Sequence, residues 1–130
     1  MIEAYNTAET AVTAGQQAPL TAYSLHCDKE NVSLNGNMLT INEPGTYLVS
    51  ADFVFAPTAT TAEVQMLVNG VTVPEATRQI AATAAANAML HTQHVISVPC
   101  CCPANANTIA FVYPEAGTQS AADVIVQRVS

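Results

Sequence analysis

At 130 residues the chain has the length of one domain; half of it is apolar and only 10% is charged, with ten carboxylates against Lys29, Arg78 and Arg128 for a formal net charge of −7. Three cations cannot neutralise a row of phosphates, which excludes direct DNA or RNA binding, and no run approaches the roughly 18 apolar residues of a membrane-spanning helix. Ordinary soluble domains carry about 25% charged residues, so part of this surface is expected to be buried by other copies of the chain.

Residues 1–18 are polar and rich in Ala and Thr, without strong periodicity. They read as an N-terminal arm or a first edge strand, set apart from a domain over 19–130. The opening "MIEAYNTAET" has neither a positive n-region nor an apolar h-region, so no secretory signal is expected. Further on, Asp28 and Glu30 flank Lys29 at strand spacing; calcium coordination is one reading and a solvated turn is the commoner one.

"NVSLNG" and "NMLTIN" form a strand pair around Asn35-Gly36. The clearest alternation follows in "GTYLVSADFVFAP": Tyr47, Val49, Ala51, Phe53 and Phe55 point one way, and Leu48, Ser50, Asp52 and Val54 the other. This is a strand with one fully apolar face and one mixed face. β-Branched and aromatic residues disfavour a helix here, and Pro44-Gly45 and Pro57 mark the ends.

"AEVQMLV" stops at Asn69-Gly70, a dipeptide made for a tight hairpin, and "VTV" resumes after it. Residues 80–90, "IAATAAANAML", are helical by propensity alone. They lack a stripe of large apolar residues to dock, so the segment reads as a loop running into a strand. In "MLHTQHVISV", His91 and His94 fall on opposite strand faces and make no two-ligand platform.

"SVPCCCPANAN" places Cys100, Cys101 and Cys102 between two prolines, with Cys27 the remaining cysteine. Three adjacent cysteines match no zinc signature, and a bond between neighbours is strained. Free thiols, a metal, and a disulfide to Cys27 or to another chain all stay open. A bond to Cys27 would close a long loop, for which chain entropy gives about 4 kcal/mol. The last strands, "TIAFVY" and "ADVIVQRVS", are apolar on both faces, which suggests contact between subunits.

Many short strands jointed by Gly, Pro and Asn argue for an all-β sandwich. The order of "AVTAGQQAPL", "NVSLNGNMLTINEPGTYLVSADFVF", "VQMLVNGVTVP" and a final "ADVIVQRV" resembles the trimeric jelly-roll domains of the tumour necrosis factor and complement-head type. It is most like the small bacterial and bacteriophage versions, among them the C-terminal domains of exosporium collagen-like proteins. The likeness runs from about Ala11 to Val129.

That resemblance implies an antiparallel, homotrimeric jelly roll. It also implies a virion role, as a head-fibre or capsid decoration protein made in the host cytoplasm, with a phage capsid or fibre protein and a host surface glycan or protein as partners. A host-encoded adhesin or spore-surface domain is the alternative. Tyr5, Tyr23, Phe111, Tyr113, Val124 and Val126 are the candidate threefold-interface residues. No catalytic set stands out, since a triad needs nucleophile, base and acid together; neither enzyme activity nor a cofactor nor a resident metal is expected.

Overall fold

A computed structural model describes residues 1–25, 32–98 and 107–129. The long alternating segment forms β7 (Gly45–Pro57), with its odd-numbered side chains from Tyr47 to Phe55 buried and Asp52 exposed on the other side. β7 lies between β10 (Ala88–Val98) and β12 (Gly117–Arg128). Beyond β12 come β1 (Ile2–Asn6) and β4 (Ala22–Leu25), giving the first sheet the order β10-β7-β12-β1-β4, with β2 (Thr10–Val12) on the early part of β12.

The second sheet has the order β5-β6-β11-β8-β9, from β5 (Val32–Asn35), β6 (Met38–Ile41), β11 (Asn107–Tyr113), β8 (Thr61–Val68) and β9 (Val71–Ala81). β3 (Gln16–Gln17) adds to β11. All pairings are antiparallel. The fold is therefore the all-β, antiparallel jelly-roll sandwich expected from the sequence.

Turn chemistry sets the hairpins. Asn69 and Gly70 both have positive φ, 55° and 80°, as a two-residue turn between right-twisted strands requires. Asn69 also ties this turn to β11: its Oδ1 accepts from the Thr108 N–H at 2.9 Å, and its amide donates to Asn107 Oδ1 at 2.9 Å. β9 runs through Pro74, which falls at the irregular step between Val73 and Arg78, where the β8–β9 register shifts and the ladder asks no N–H of it.

The sheets close over an aromatic centre. Phe53 and Phe55 of β7 meet Phe111 and Tyr113 of β11, with the Phe55 and Tyr113 rings stacked at 4.1 Å and the Phe53 and Phe111 rings tilted at 5.1 Å. Each such ring contributes about 1.5–3 kcal/mol by burial. The Tyr113 hydroxyl donates to Gln119 Oε1 at 2.6 Å, and the Gln119 amide donates to the Pro19 carbonyl at 3.0 Å. A buried polar chain thus crosses the core with its members satisfied.

Two expectations are corrected here. The start of residues 1–18 is not an edge strand: β1 lies inside the first sheet between β12 and β4, and Ile2, Ala4 and Asn6 are buried, while β2 and β3 each pair with a single strand. The second apolar face of β11 is not evidence of a subunit contact either. β11 is central in its sheet, and Ala110 is already covered by its own chain. The alanine-rich stretch follows the loop reading: β9 ends at Ala81, residues 82–87 turn, and β10 begins at Ala88.

Candidate functional site

Four of the six candidate interface residues belong to the interior of a single chain. Phe111, Tyr113, Val124 and Val126 are at most 1% exposed and pack within the sandwich core, so they present no surface to another copy. Alternation showed that β11 and β12 have two apolar faces, but the identity of the inward face depends on the register of both sheets. Tyr5 is half-buried on β1, and Tyr23 on edge strand β4 is 53% exposed. Cys27, Cys100, Cys101 and Cys102, with His26, Asp28 and Glu30, lie outside the described residues.

What the first sheet presents outward is the side opposite Val124 and Val126. Met89 and Val95 of β10 are 79% and 54% exposed there, and the half-buried Leu48 and Val54 of β7 and Ile125 of β12 extend the apolar area. β10 is also an edge strand among the described residues. Its free backbone row is a pairing template that proteins normally cover or blunt.

Across this face runs one row of polar side chains. Tyr5 of β1 stands opposite Asp123 of β12, Asp123 opposite Asp52 of β7, and Asp52 opposite His91 of β10. The register places two carboxylates directly across from each other, an arrangement that destabilises a sheet when both are charged. His91 Nδ1 lies 2.7 Å from Asp52 Oδ1, on the solvent-exposed side of the row.

Glu3, two residues before Tyr5 on the same face of β1, shares a hydrogen bond with Asp123. Burial, that hydrogen bond, and the charges of Glu3 and Asp52 together push the Asp123 carboxyl up to about 6 from its ordinary 3.8. Its Oδ1 is shielded from solvent without a hydrogen-bond partner among the described residues. That oxygen has lost water without gaining a hydrogen bond among the described residues.

Beside the row, Val54, Met89, His91, Ala121 and Asp123 line a shallow hollow of about 230 Å³. It adjoins the irregular step between Gln119 and Ala121, where the β12–β7 register shifts by one residue. A second, more open cleft of about 440 Å³ lies at one end of the sandwich between Glu9, Pro57, Thr58, Asn87 and Thr118. Ala85, in a left-handed backbone conformation with φ of 61°, forms part of its wall.

The His91–Asp52 pair is two members of a general-base triad, but the row offers carboxylates and Tyr5 around it instead of a serine or cysteine nucleophile. Among the described residues no group of three or more His, Cys, Asp or Glu is disposed to hold a metal ion. His94 faces the opposite side from His91, as strand parity requires.

The sequence matches no family model and no curated protein. Solved structures resemble the fold over nearly the whole chain. The globular domain of zebrafish complement 1qA superposes with a TM-score of 0.73 at 6% identity, covering 99% of this chain and 96% of its own. Eiger TNF from S. frugiperda gives 0.61 at 10% identity, covering 98% and 92%. PRD1 vertex protein P5 gives 0.60 at 9% identity, covering 99% of this chain and 72% of its own. The sandwich is thus of the tumour necrosis factor and complement 1q shape, and a vertex protein shares it.

Proposed function

We propose that the chain is a structural protein of a bacteriophage virion, a homotrimeric jelly-roll unit that decorates the head or a fibre and reaches toward the host surface. The observation that carries this reading is the outer face of β10, β7 and β12, where Met89, Val95, Val54 and Ile125 form apolar surface outside the core. With so few charges on the chain, association is the physical means of covering that surface. A vertex protein shares the fold, which is in keeping with a virion role.

Light scattering on the eluting protein tests the assembly. A particle of about three times the 13.6 kDa chain mass is expected, and Met89→Lys together with Val95→Lys should reduce it to single chains that keep their strand signal by circular dichroism. A wild-type monomer at tens of micromolar would overturn the reading. Peptide mass spectrometry of particles purified from a producing lysate tests the location, with the chain expected in fixed ratio to the capsid protein.

A further inference from the structure

Several connections meet at the end of the sandwich where β7 finishes. They are the β1–β2 turn with Glu9, the link from β7 to β8 with Thr58, the β9–β10 loop with Ala85 and Asn87, and the β11–β12 turn with Ala116. Loops are ordinarily the mobile part of a fold, yet these are stitched together. Thr58 donates its N–H and its hydroxyl to the Ala116 carbonyl at 2.9 and 3.1 Å. The Ala85 N–H donates to the Pro57 carbonyl at 2.8 Å, and the Ala82 N–H to the Thr60 carbonyl at 2.8 Å. Buried Asn6 fixes the β1–β2 turn, accepting from the Ala8 N–H at 2.9 Å and donating to Thr10 Oγ1 at 3.3 Å. Ala85 is held at a positive φ that is costly for any residue with a Cβ, a kind of strain that gathers at ligand sites.

The open cleft of about 440 Å³ between these loops has the size of a small-molecule site. Its polar groups are short and only partly used. Asn87 accepts through Oδ1 from the Ser120 hydroxyl at 3.4 Å, which leaves the N–H2 group of this exposed residue to a ligand. Thr118 adds a hydroxyl, the exposed Glu9 adds a carboxylate acceptor, and Pro57 and Ala85 supply small apolar walls. No lysine or arginine lines the cleft. The undescribed stretches are anchored at Leu25, Val32, Val98 and Asn107, toward the Gly45 end of the sheets, whereas the cleft lies at the Pro57 end. At about 3.3 Å per strand residue the two ends are at least ~25 Å apart.

We propose that this cleft binds a neutral saccharide. The ligand class follows from what lines it. A sugar hydroxyl both donates and accepts, so it matches a wall that offers an N–H2 donor, a carboxylate acceptor and hydroxyls of either sense. An anionic ligand meets Glu9 and no cation, and a flat aromatic ligand finds no aromatic side chain to stack on. An ammonium group gains Glu9 but sets a donor against the Asn87 N–H2. In the saccharide complex Asn87 donates to a sugar oxygen, a sugar hydroxyl donates to Glu9, and Thr118 takes whichever role its neighbouring hydroxyl leaves. Because the loops are already tied, little ordering accompanies binding. This deepens the reading of a unit that reaches toward the host surface, and rests on that reading only for the source of the saccharide.

Saturation-transfer NMR on the full chain tests this with glucose, galactose and N-acetylglucosamine, the disaccharides maltose, lactose and diacetylchitobiose, and spermidine and N-acetylneuraminic acid as charged controls. At least one neutral sugar should bind with a dissociation constant of about 1 mM, ordinary for so small and polar a ligand. Asn87→Ala and Thr118→Val should each weaken it about tenfold, the worth of one hydrogen bond, with circular dichroism showing the strands intact. Glu9→Gln keeps an acceptor oxygen and should weaken it less. A disaccharide that binds more tightly than its monomer marks a surface polysaccharide as the source, and equal affinity marks a free sugar. Spermidine binding that Glu9→Gln abolishes, with no neutral sugar bound, overturns the saccharide in favour of a cation. No transfer to any of these sugars at about 20 mM overturns the site altogether. That failure leaves the assembly reading standing, since light scattering decides it separately.

Discussion

Tyr113 and Gln119 hold each other in the centre of the sandwich: the phenol donates to the amide oxygen at 2.6 Å, and the amide nitrogen donates onward to the Pro19 carbonyl at 3.0 Å. Neither side chain is exposed. Burial pushes the Tyr113 phenol above its ordinary range, so it remains a donor under all practical conditions. The link joins the consecutive strands β11 and β12 to the segment before β4, which lies 100 residues earlier in the chain.

Tyr113→Phe should therefore cost about 1–2 kcal/mol, because it leaves the Gln119 oxygen buried without a donor. Gln119→Ala should cost more, since it orphans the phenol and the Pro19 carbonyl and opens a cavity as well. Urea or guanidinium unfolding midpoints measure both. Equal stabilities for wild type and Tyr113→Phe would mean that the chain of hydrogen bonds adds nothing.

Gly117 begins β12 at a point of close approach. A Cβ there would lie 2.3 Å from the Ala56 carbonyl oxygen and 2.7 Å from the Phe55 ring. The obstruction is backbone on one side and a packed core ring on the other, so it cannot be relieved by a side-chain rotation. Gly117→Ala should destabilise the fold by about 2–3 kcal/mol, read as a fall in thermal midpoint. A midpoint unchanged within error would show that β7 and β12 can move apart.

The Asn69 turn separates backbone preference from side-chain bonding. Asn69→Gly keeps the positive φ and removes the two bonds to Asn107 and Thr108, which should cost about 1 kcal/mol. Asn69→Ala loses those bonds and also strains the backbone, for about 1–2 kcal/mol more. Denaturant curves in which alanine and glycine behave alike would refute the share assigned to the backbone.

The Asp123 carboxyl also ties folding to pH. Its proton affinity is raised on folding, from 3.8 to about 6, so the folded chain binds more protons than the unfolded chain between those values. Stability contributed by this group is present below about 4 and is lost as pH rises through about 6. Asp123→Asn should raise the thermal midpoint at pH 8 and change it little at pH 4. A mutant that is less stable than wild type at pH 8 would show the carboxylate to be favourable in its setting.

Much of this architecture is legible in the sequence, and the limits are physical. The alternation from Tyr47 to Phe55 predicts which side chains fill the core, and Asn69-Gly70 predicts its hairpin, because both signals are local. The inward side of β12 is not local: Val124 and Val126 face the core only because of how β12 pairs with β7, whose residues lie far away along the chain. The Asp52–Asp123 pair is invisible for the same reason, although alternation does put Asp52 outside. A first strand is one of two sequence readings of residues 1–18, but its place inside the sheet is not legible, because Ile2, Ala4 and Asn6 make too short and too mixed a face for periodicity to mark as buried.

The shifted step in β12 has a consequence for how such a chain can vary. Gln119 stands opposite Phe55 and Ala121 opposite Val54, so Ser120 is a residue that the ladder skips. Strands in a sandwich ordinarily resist single-residue insertions and deletions, since each turns the following side chains inside out. Losing Ser120 would instead leave Gln119, Ala122, Val124 and Val126 all pointing inward in unbroken alternation. Natural length differences among chains of this shape should collect at this step, which works as a splice point in an otherwise uneditable strand.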